Sequence, residues 1–249
     1  MIPSGFDSVA ATLYAPLYAG ARGGFRAGAR GRLPRPDRCA ATGRCRQSGP
    51  DCVAGQGSVW RAVILDRVAR KFCQSHPTGS VITLGIGLCS RRDRLLDSVP
   101  QTVTWYGVDV DPVIDVRRRL LPDDPTVLVA APLTDPSWAS QIDTPGPVLV
   151  IAEGLLMYLT PEQVGSILTA ARHRFGVGTE LVADYLHPWI ATGAGFRNGR
   201  ALASLGPDWT LIEEYDVMSR ISLLHRAVGS TFRALTRGRL HGIARLAVR

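Results

Sequence analysis

Two glycines follow a short apolar run and could let the backbone turn close beneath a ligand. Residues 81–84 (Val-Ile-Thr-Leu) are followed by Gly85 and Gly87. Glycine has no Cβ, so it permits both a tight strand-to-helix turn and a close approach of the backbone to a bound group. A dinucleotide fingerprint would place Gly or Ala at position 90, where this chain has Ser90. The pattern favours a ligand-binding turn, with a tight turn that binds nothing as the alternative.

Two carboxylates stand where predicted strands end. Asp109 follows an apolar strand candidate, and a carboxylate there can accept hydrogen bonds from both hydroxyls of a ribose. A solvated strand-end acid is the alternative, and Asp111 lies close by. Glu153 interrupts the apolar stretch 147–159, where a carboxylate is costly unless it has a partner or lies at the mouth of a pocket. We expect Glu153 to line a pocket.

Four further side chains are candidates for binding or proton transfer. Arg61 falls in the first turn of a helix predicted to begin at Ser58, where the helix dipole disfavours a cation, so a ligand carboxylate would explain it. An ordinary exposed arginine is the alternative. Tyr158, Tyr185 and His187 are the candidates for a general base, because each follows or ends a predicted strand. A packed tyrosine or a surface histidine is the alternative for each.

The elements that would position these residues alternate between strands and helices. Strands are predicted at 81–84, 102–108, 126–130, 147–152, 180–184, 209–217 and 243–248. Helices are predicted from Ser58, at 90–97, at 112–120, from Pro161 and, interrupted by glycines, at 191–205. Such alternation predicts an α/β fold with a doubly wound, mainly parallel sheet, whose ligand lies beyond the carboxyl ends of the strands.

The positive charge of the chain is confined to one segment. The chain has 249 residues and a net charge of +8, and residues 20–50 hold eight arginines against one aspartate, which is +7 of that total. A nucleic-acid surface would spread its charge over a folded face with interleaved aromatics, so we expect no nucleic-acid partner. The longest apolar stretch is too short to span a bilayer, and no secretory signal is visible, so we expect a cytoplasmic protein without membrane contact.

The arginine-rich segment also predicts the domain organisation. Residues 20–50 contain seven glycines and no periodic apolar pattern, so we expect an irregular structure. We interpret 1–58 as an N-terminal cap segment and 59–249 as the ligand-binding domain. One hypothesis is that part of 20–58 is an out-of-frame reading of a GC-rich gene, which translation of the other two frames would test. The five cysteines form no C-x-x-C pair and no metal-ligand spacing, so we expect no metal site.

Four motifs, in this order and at this spacing, resemble the leucine carboxyl methyltransferase family, and most closely its bacterial branch of polyketide-type O-methyltransferases. They are Arg61-x-x-x-Leu65-Asp66-Arg67, Val-Ile-Thr-Leu-Gly-Ile-Gly-Leu-Cys-Ser-Arg at 81–91, Trp-Tyr-Gly-Val-Asp at 105–109, and Ile-Ala-Glu-Gly-Leu-Leu-Met-Tyr-Leu at 151–159. The resemblance extends from about residue 59 to the end of the chain, with a further fragment at 12–18.

The resemblance implies a class I methyltransferase fold, which is a Rossmann-like doubly wound sheet with an N-terminal helical cap, and S-adenosylmethionine as the cofactor. By the same resemblance, Arg61 would contact the methionine carboxylate and Glu153 the methionine amino group, with Asp109 on the ribose. The cofactor-binding residues implied in all are Arg61, Gly85, Gly87, Asp109, Pro132, Leu133 and Glu153. The family pattern has Asp-Thr where this chain has Cys89-Ser90, and often Asp where it has Pro132.

The function implied is O-methyl transfer to a carboxylate or hydroxyl of a small molecule, in polyketide-type secondary metabolism. An NAD(P)-dependent oxidoreductase is one alternative, against which stand Ser90 and the absence of a Tyr-x-x-x-Lys motif. A degenerate, non-catalytic domain that binds the cofactor or a partner protein is the other.

Overall fold

A computed structural model describes residues 50–144 and 146–249, which contain one seven-stranded sheet with helices on both faces. The strands are β1 (Ser80–Leu84), β2 (Thr104–Asp109), β3 (Val127–Ala130), β4 (Val148–Ala152), β5 (Glu180–Leu186), β6 (Trp209–Asp216) and β7 (His241–Val248). The α-helices are α1 (Pro50–Ser75), α2 (Arg91–Leu95), α3 (Asp111–Leu120), α4 (Pro161–Phe175), α5 (Gly199–Ala203), α6 (Met218–Ile221) and α7 (Leu223–Thr236). Short 3-10 helices span Leu96–Ser98, Pro136–Gln141 and Leu156–Tyr158.

The strand order is β3-β2-β1-β4-β5-β7-β6. The first five strands are parallel, and β7 runs antiparallel to both of its neighbours. The order reverses between β1 and β4, which makes the carboxyl ends of these two strands the switch point of a doubly wound sheet. The predicted α/β class and the mainly parallel sheet are therefore confirmed.

Both faces of the central strands are buried, because each face packs against its own helices. In β4 the side chains alternate between two apolar clusters, with Leu149 and Ile151 in one and Val150 in the other. The first cluster contains the apolar face of α1, and the second contains that of α4. Continuous apolar runs such as β4 are therefore explained by burial on two sides.

The first helix is longer than the sequence predicted. It begins at Pro50, so Ser58 lies within the helix and is not its N-cap. By contrast, α4 begins as expected, because Thr160 accepts a hydrogen bond from the Gln163 backbone N–H and the Gln163 side chain accepts one from the Thr160 N–H. This reciprocal pair satisfies two donors that a helix start otherwise leaves unpaired.

The prediction of a helix over 191–205 is largely wrong. Only α5 is helical there, because the segment before it pairs with the loop that follows β4. The backbone N–H of Gly193 donates to Met157 O at 2.7 Å, and a Cβ on Gly193 would lie only 2.6 Å from Leu159 O. This close backbone packing replaces the helical hydrogen bonds. Helices α6 and α7 were not predicted at all.

The sequence also led to expectations about membrane-spanning helices and about the N-terminal segment. None of the helices in the described ranges is both long and apolar enough to cross a membrane. The predicted irregular segment lies, up to residue 49, outside the described residues, as does the fragment at 12–18. The domain boundary at residue 58 stays a prediction.

Candidate functional site

The predicted ligand-binding residues converge on the carboxyl edge of the parallel strands. Gly85 follows β1, Asp109 ends β2, and Glu153 follows β4. Since β2, β1 and β4 are neighbours in register, their ends lie side by side. This is the edge at which open α/β sheets bind their ligands.

The glycine turn after β1 needs glycine for a backbone reason. Gly85 and Gly87 have φ angles of +62° and +48°, in the left-handed region where a Cβ is strained. The N–H groups of Gly85 and Ile86 both donate to the Val108 carbonyl, at 2.9 and 3.2 Å, which ties the turn to the end of β2. The positive φ angles and these two hydrogen bonds together define the conformation of the turn.

Asp109 is fixed by the same turn. Its Oδ2 accepts a hydrogen bond from the Gly87 N–H at 2.9 Å, and its Oδ1 accepts one from the Val110 N–H at 2.9 Å. The carboxylate is half-buried, and burial raises its pKa above the ordinary value even though both hydrogen bonds oppose that shift. Each oxygen keeps acceptor capacity beyond its one backbone partner, so the carboxylate can still accept from two hydroxyls.

Pro132 and Leu133 lie just beyond the end of β3, beside Asp109. The last strand residue, Ala130, is the register partner of Asp109, and the Ala131 N–H donates to the Asp109 carbonyl at 2.9 Å. Pro132 is exposed, whereas Leu133 is half-buried against the core. Both residues therefore stand on the same edge as the other candidates.

Arg61 lies inside α1, so the dipole argument made for it from the sequence is wrong. The helix begins about three turns earlier, where the dipole no longer disfavours a cation at position 61. The guanidinium is explained instead by two acids. Arg61 Nε donates to Glu153 Oε1 at 3.1 Å, and Arg61 Nη1 donates to Asp184 Oδ2 at 3.3 Å. Burial by itself would lower the pKa of Arg61, but Asp184 and Glu153 together raise it.

Glu153 bridges two arginines. Besides the contact with Arg61, its Oε2 accepts from Arg91 Nη2 at 2.5 Å. Burial opposes ionisation of the carboxyl, but Arg91 and Arg61 hold the pKa of Glu153 below its ordinary value. Glu153 therefore has the partners that a carboxylate in an apolar strand requires, and its side chain keeps 17% of its surface exposed. That it lines a ligand pocket stays a prediction.

Asp184 is a member of the site that the sequence interpretation missed. Its side chain is fully buried near the end of β5, where Oδ1 accepts from the Gly154 N–H at 2.5 Å and Oδ2 faces Arg61 and His241 Nε2, the latter at 3.2 Å. Burial would raise the pKa of Asp184, but Arg61 and His241 hold it below the ordinary value. An acid inside an apolar strand is the signal that drew attention to Glu153, and it applied equally here.

Arg91, which pairs with Glu153, also pairs with Asp66 of α1. Arg91 is 1% exposed, and its Nε donates to Asp66 Oδ1 at 2.9 Å. Arg94 also binds Asp66, with Nε 2.8 Å from Oδ2 and Nη2 2.9 Å from Oδ1. Asp66 belongs to the first family motif and Arg91 to the second, so these two motifs meet in the fold.

The three candidates for a general base lie in different surroundings. Tyr185 is fully buried and donates its hydroxyl to Glu214 Oε1 at 2.5 Å, and burial and that carboxylate raise its pKa, so its geometry favours packing. His187 is also buried, and its Nδ1 accepts from the Trp189 N–H at 3.3 Å. Burial lowers the pKa of His187, which favours a neutral ring. Tyr158 is 45% exposed and has the accessible hydroxyl of the three.

The chemistry of the edge suits the nucleoside and the amino-acid tail of S-adenosylmethionine. Asp109 offers acceptors for ribose hydroxyls, and Arg61 and Glu153 offer one positive and one negative group for a zwitterionic tail. Among the described residues, no cluster of three His, Cys, Asp or Glu side chains could hold a metal ion. The charges of Asp109, Arg61 and Glu153 fit the implied cofactor.

The fold and the sequence are both similar to those of known methyltransferases. The fold is similar to that of a protein of Thermobifida fusca described as a methyltransferase, with a TM-score of 0.57 at 20% identity over 94% of each chain. The leucine carboxyl methyltransferase model matches residues 42–172. The chain belongs to the leucine carboxyl methyltransferase family.

Two relatives are similar over part of their length. The tetracenomycin polyketide synthesis O-methyltransferase of Streptomyces glaucescens is 33% identical over 175 residues, which cover 64% of each chain. An S-adenosylmethionine-dependent methyltransferase of Gibberella zeae is 32% identical over 135 residues, which cover 50% of this chain and 45% of the relative. The chain thus spans less than two thirds of the relatives it matches. None of these comparisons supports an oxidoreductase.

Proposed function

We propose that this chain transfers the methyl group of S-adenosylmethionine to an oxygen atom of a small-molecule acceptor of the polyketide type. Family membership supports the cofactor, and the name of the Streptomyces relative supports the acceptor class. The observation that carries the proposal is the meeting of Asp109, Arg61 and Glu153 at the carboxyl edge, because a ribose and an amino-acid tail require these charges together.

Each of these residues would hold one part of the cofactor. Arg61 would bind the α-carboxylate and Glu153 the α-ammonium group, while Asp109 would accept from the ribose hydroxyls. Gly85 and Gly87 would let the backbone pass beneath the ligand, with Pro132 and Leu133 beside the adenine. When bound, S-adenosylmethionine supplies a methyl group that is already activated as a sulfonium.

The protein would then act mainly by holding the acceptor in line with that methyl group. Alignment of two reactants at near-attack distance can account for several kcal/mol of a reaction barrier. A carboxylate acceptor needs no base at neutral pH, whereas a phenol or enol gains from one. Tyr158 would contact the acceptor, because its hydroxyl is exposed and follows β4. In this proposal 1–58 is an N-terminal cap segment and 59–249 is the cofactor-binding domain.

A thermal-shift titration tests the proposal. S-Adenosylmethionine and S-adenosylhomocysteine should each stabilise the full chain, by about 2.7 kcal/mol at 100 times the dissociation constant. NADH should not. Stabilisation by NADH alone would support the oxidoreductase, and no shift with any of the three would support the non-catalytic domain. Replacing Asp109 with Ala should weaken binding, and an unchanged affinity would remove this residue from the site.

A further inference from the structure

The two side chains that would meet the amino-acid tail each have a buried counterion of their own. Arg61 contacts Asp184, and Glu153 contacts Arg91. Arg61 and Glu153 also contact each other directly, at 3.1 Å. The site therefore consists of an outer pair, which remains partly exposed, and two buried partners, whose side chains are 0% and 1% exposed.

Asp184 connects three separate elements. Its two oxygens contact α1 through Arg61, the turn after β4 through the Gly154 N–H, and the start of β7 through His241. Gly154 has a φ of +62°, and a Cβ on it would lie 3.2 Å from the Arg61 guanidinium. The turn that presents Glu153 and the guanidinium that faces it are thus both held by one carboxylate.

Arg91 holds Glu153, the other member of the outer pair. It is fixed by Asp66, which Arg94 holds with two further hydrogen bonds. Arg91 therefore stays charged and in place whether or not Glu153 contacts Arg61. Glu153 has a permanent partner on one side and an exchangeable partner on the other.

We propose that Asp184 and Arg91 are positioning residues that allow the zwitterionic tail of the cofactor to replace the direct contact between Arg61 and Glu153. This inference rests on the proposed function and deepens it. When the tail enters, Arg61 exchanges one carboxylate for another but keeps Asp184, and Glu153 exchanges one cation for another but keeps Arg91. Because of these partners, neither Arg61 nor Glu153 is left unpaired during the exchange. An unpaired buried charge would be costly.

Removal of the Asp184 charge should make the contact between Arg61 and Glu153 harder to open. In Asp184→Asn, Glu153 becomes the remaining acid that pairs with Arg61, so the pair that the ligand must open becomes tighter. The new amide would also direct a donor at either Arg61 or Gly154, both of which are donors themselves. Affinity should therefore fall for ligands that carry the amino-acid tail, and not for ligands that lack it.

Isothermal titration calorimetry with two probes tests the inference. S-Adenosylhomocysteine carries the zwitterionic tail, and 5′-methylthioadenosine has the same nucleoside without it. For Asp184→Asn we expect S-adenosylhomocysteine to bind about 10- to 100-fold more weakly, which is the effect of losing one buried hydrogen bond between charged groups. Binding of 5′-methylthioadenosine should change by less than about twofold.

A matched control is available on the same strand. Glu180 lies at the other end of β5 and pairs with Arg245, with both hydrogen bonds at 2.8 Å. Glu180→Gln removes a carboxylate charge from β5 without touching Arg61, so both probes should bind as they do to the wild type. Circular dichroism of each variant shows whether it is folded.

Three results would overturn the inference, and one would remove its basis. If Asp184→Asn weakens the binding of both probes equally, Asp184 has a general structural role. If S-adenosylhomocysteine binding is unchanged, Asp184 has no role in binding the tail. If Asp184→Asn does not fold, His241→Ala removes one partner of Asp184 and should weaken S-adenosylhomocysteine roughly three- to tenfold with 5′-methylthioadenosine unchanged. If His241→Ala leaves the ratio of the two dissociation constants unchanged, the inference is also overturned. A wild-type chain that binds neither probe contradicts the proposed function itself.

Discussion

Replacement of Arg91 by leucine should destabilise the fold strongly, because it removes a buried cation from between two carboxylates. Arg91 donates to Asp66 at 2.9 Å and to Glu153 at 2.5 Å, with its own side chain 1% exposed. Breaking a buried ion pair by removing one partner costs about 3–5 kcal/mol. Here Asp66 keeps Arg94, and Glu153 keeps Arg61, so we expect the lower end, about 3 kcal/mol.

Urea denaturation measures this loss. With a slope of about 2–3 kcal/mol/M, the midpoint of Arg91→Leu should lie about 1–1.5 M below that of the wild type. The matched control is Arg172→Leu, which removes a contact to Asp208 of similar geometry, with hydrogen bonds of 2.7 and 3.0 Å. Both partners of that pair are more than two fifths exposed, so its loss should cost at most about 1 kcal/mol.

The same variant has a predicted pH dependence. The pKa of Glu153 lies below its ordinary value because Arg91 and Arg61 outweigh the effect of burial. The stability that this pairing contributes is present above the pKa of unfolded Glu, about 4.3, and is lost as the pH falls through the folded value. The gap in urea midpoint between wild type and Arg91→Leu should therefore narrow below about pH 4. Equal losses for Arg91→Leu and Arg172→Leu at pH 7 would refute the reasoning.

Two further substitutions and a change of pH should each lower the stability of the fold. Thr160→Ala should lower stability by about 1 kcal/mol in urea denaturation, because it removes the cap of α4, and Thr160→Ser should restore it. Gly107→Ala should cost about 1 kcal/mol or more, since its Cβ would lie 2.2 Å from Ile86 Cδ1 and 3.1–3.2 Å from Ile86 Cγ2 and Cβ, so the whole buried side chain of Ile86 would have to shift. A loss below about 0.5 kcal/mol would contradict this close approach. Wild-type stability should fall below about pH 4, because the pKa values of Asp184, Asp66 and Glu153 are lowered on folding; a midpoint independent of pH between 5 and 3 would contradict this.

Apolar periodicity was sufficient to predict the sheet. Strands β1 to β7 were all expected within a few residues of their observed bounds. For the central strands β1, β4 and β5 the reason is that burial on two faces requires continuous apolar runs. The same reasoning missed α7, whose exposed Leu224, Val228 and Leu235 do not face a core. It also extended a helix through Gly193, where close backbone contact with another loop replaces helical hydrogen bonds. Such long-range contacts leave no local pattern.

Part of the candidate site could also be predicted from the sequence. Asp109 and Glu153 could be found because each acid stands at the end of an apolar strand, and the structure places both at the carboxyl edge. Arg61 was selected by an argument about the helix start that the observed helix contradicts, and the family resemblance supplied the better reason. Asp184 carries the same signal, an acid within an apolar strand, and was overlooked. Its partners on α1, β7 and the turn after β4 could not be inferred from that signal, because they are distant in sequence.

A crystal structure of the full chain with S-adenosylhomocysteine tests the central claim most directly. The account predicts both ribose hydroxyls on the Asp109 carboxylate and the amino-acid tail between Arg61 and Glu153, with Asp184 and Arg91 still in contact with these two residues. A nucleoside bound at any other edge of the sheet, or a tail that leaves the contact between Arg61 and Glu153 intact, would contradict it.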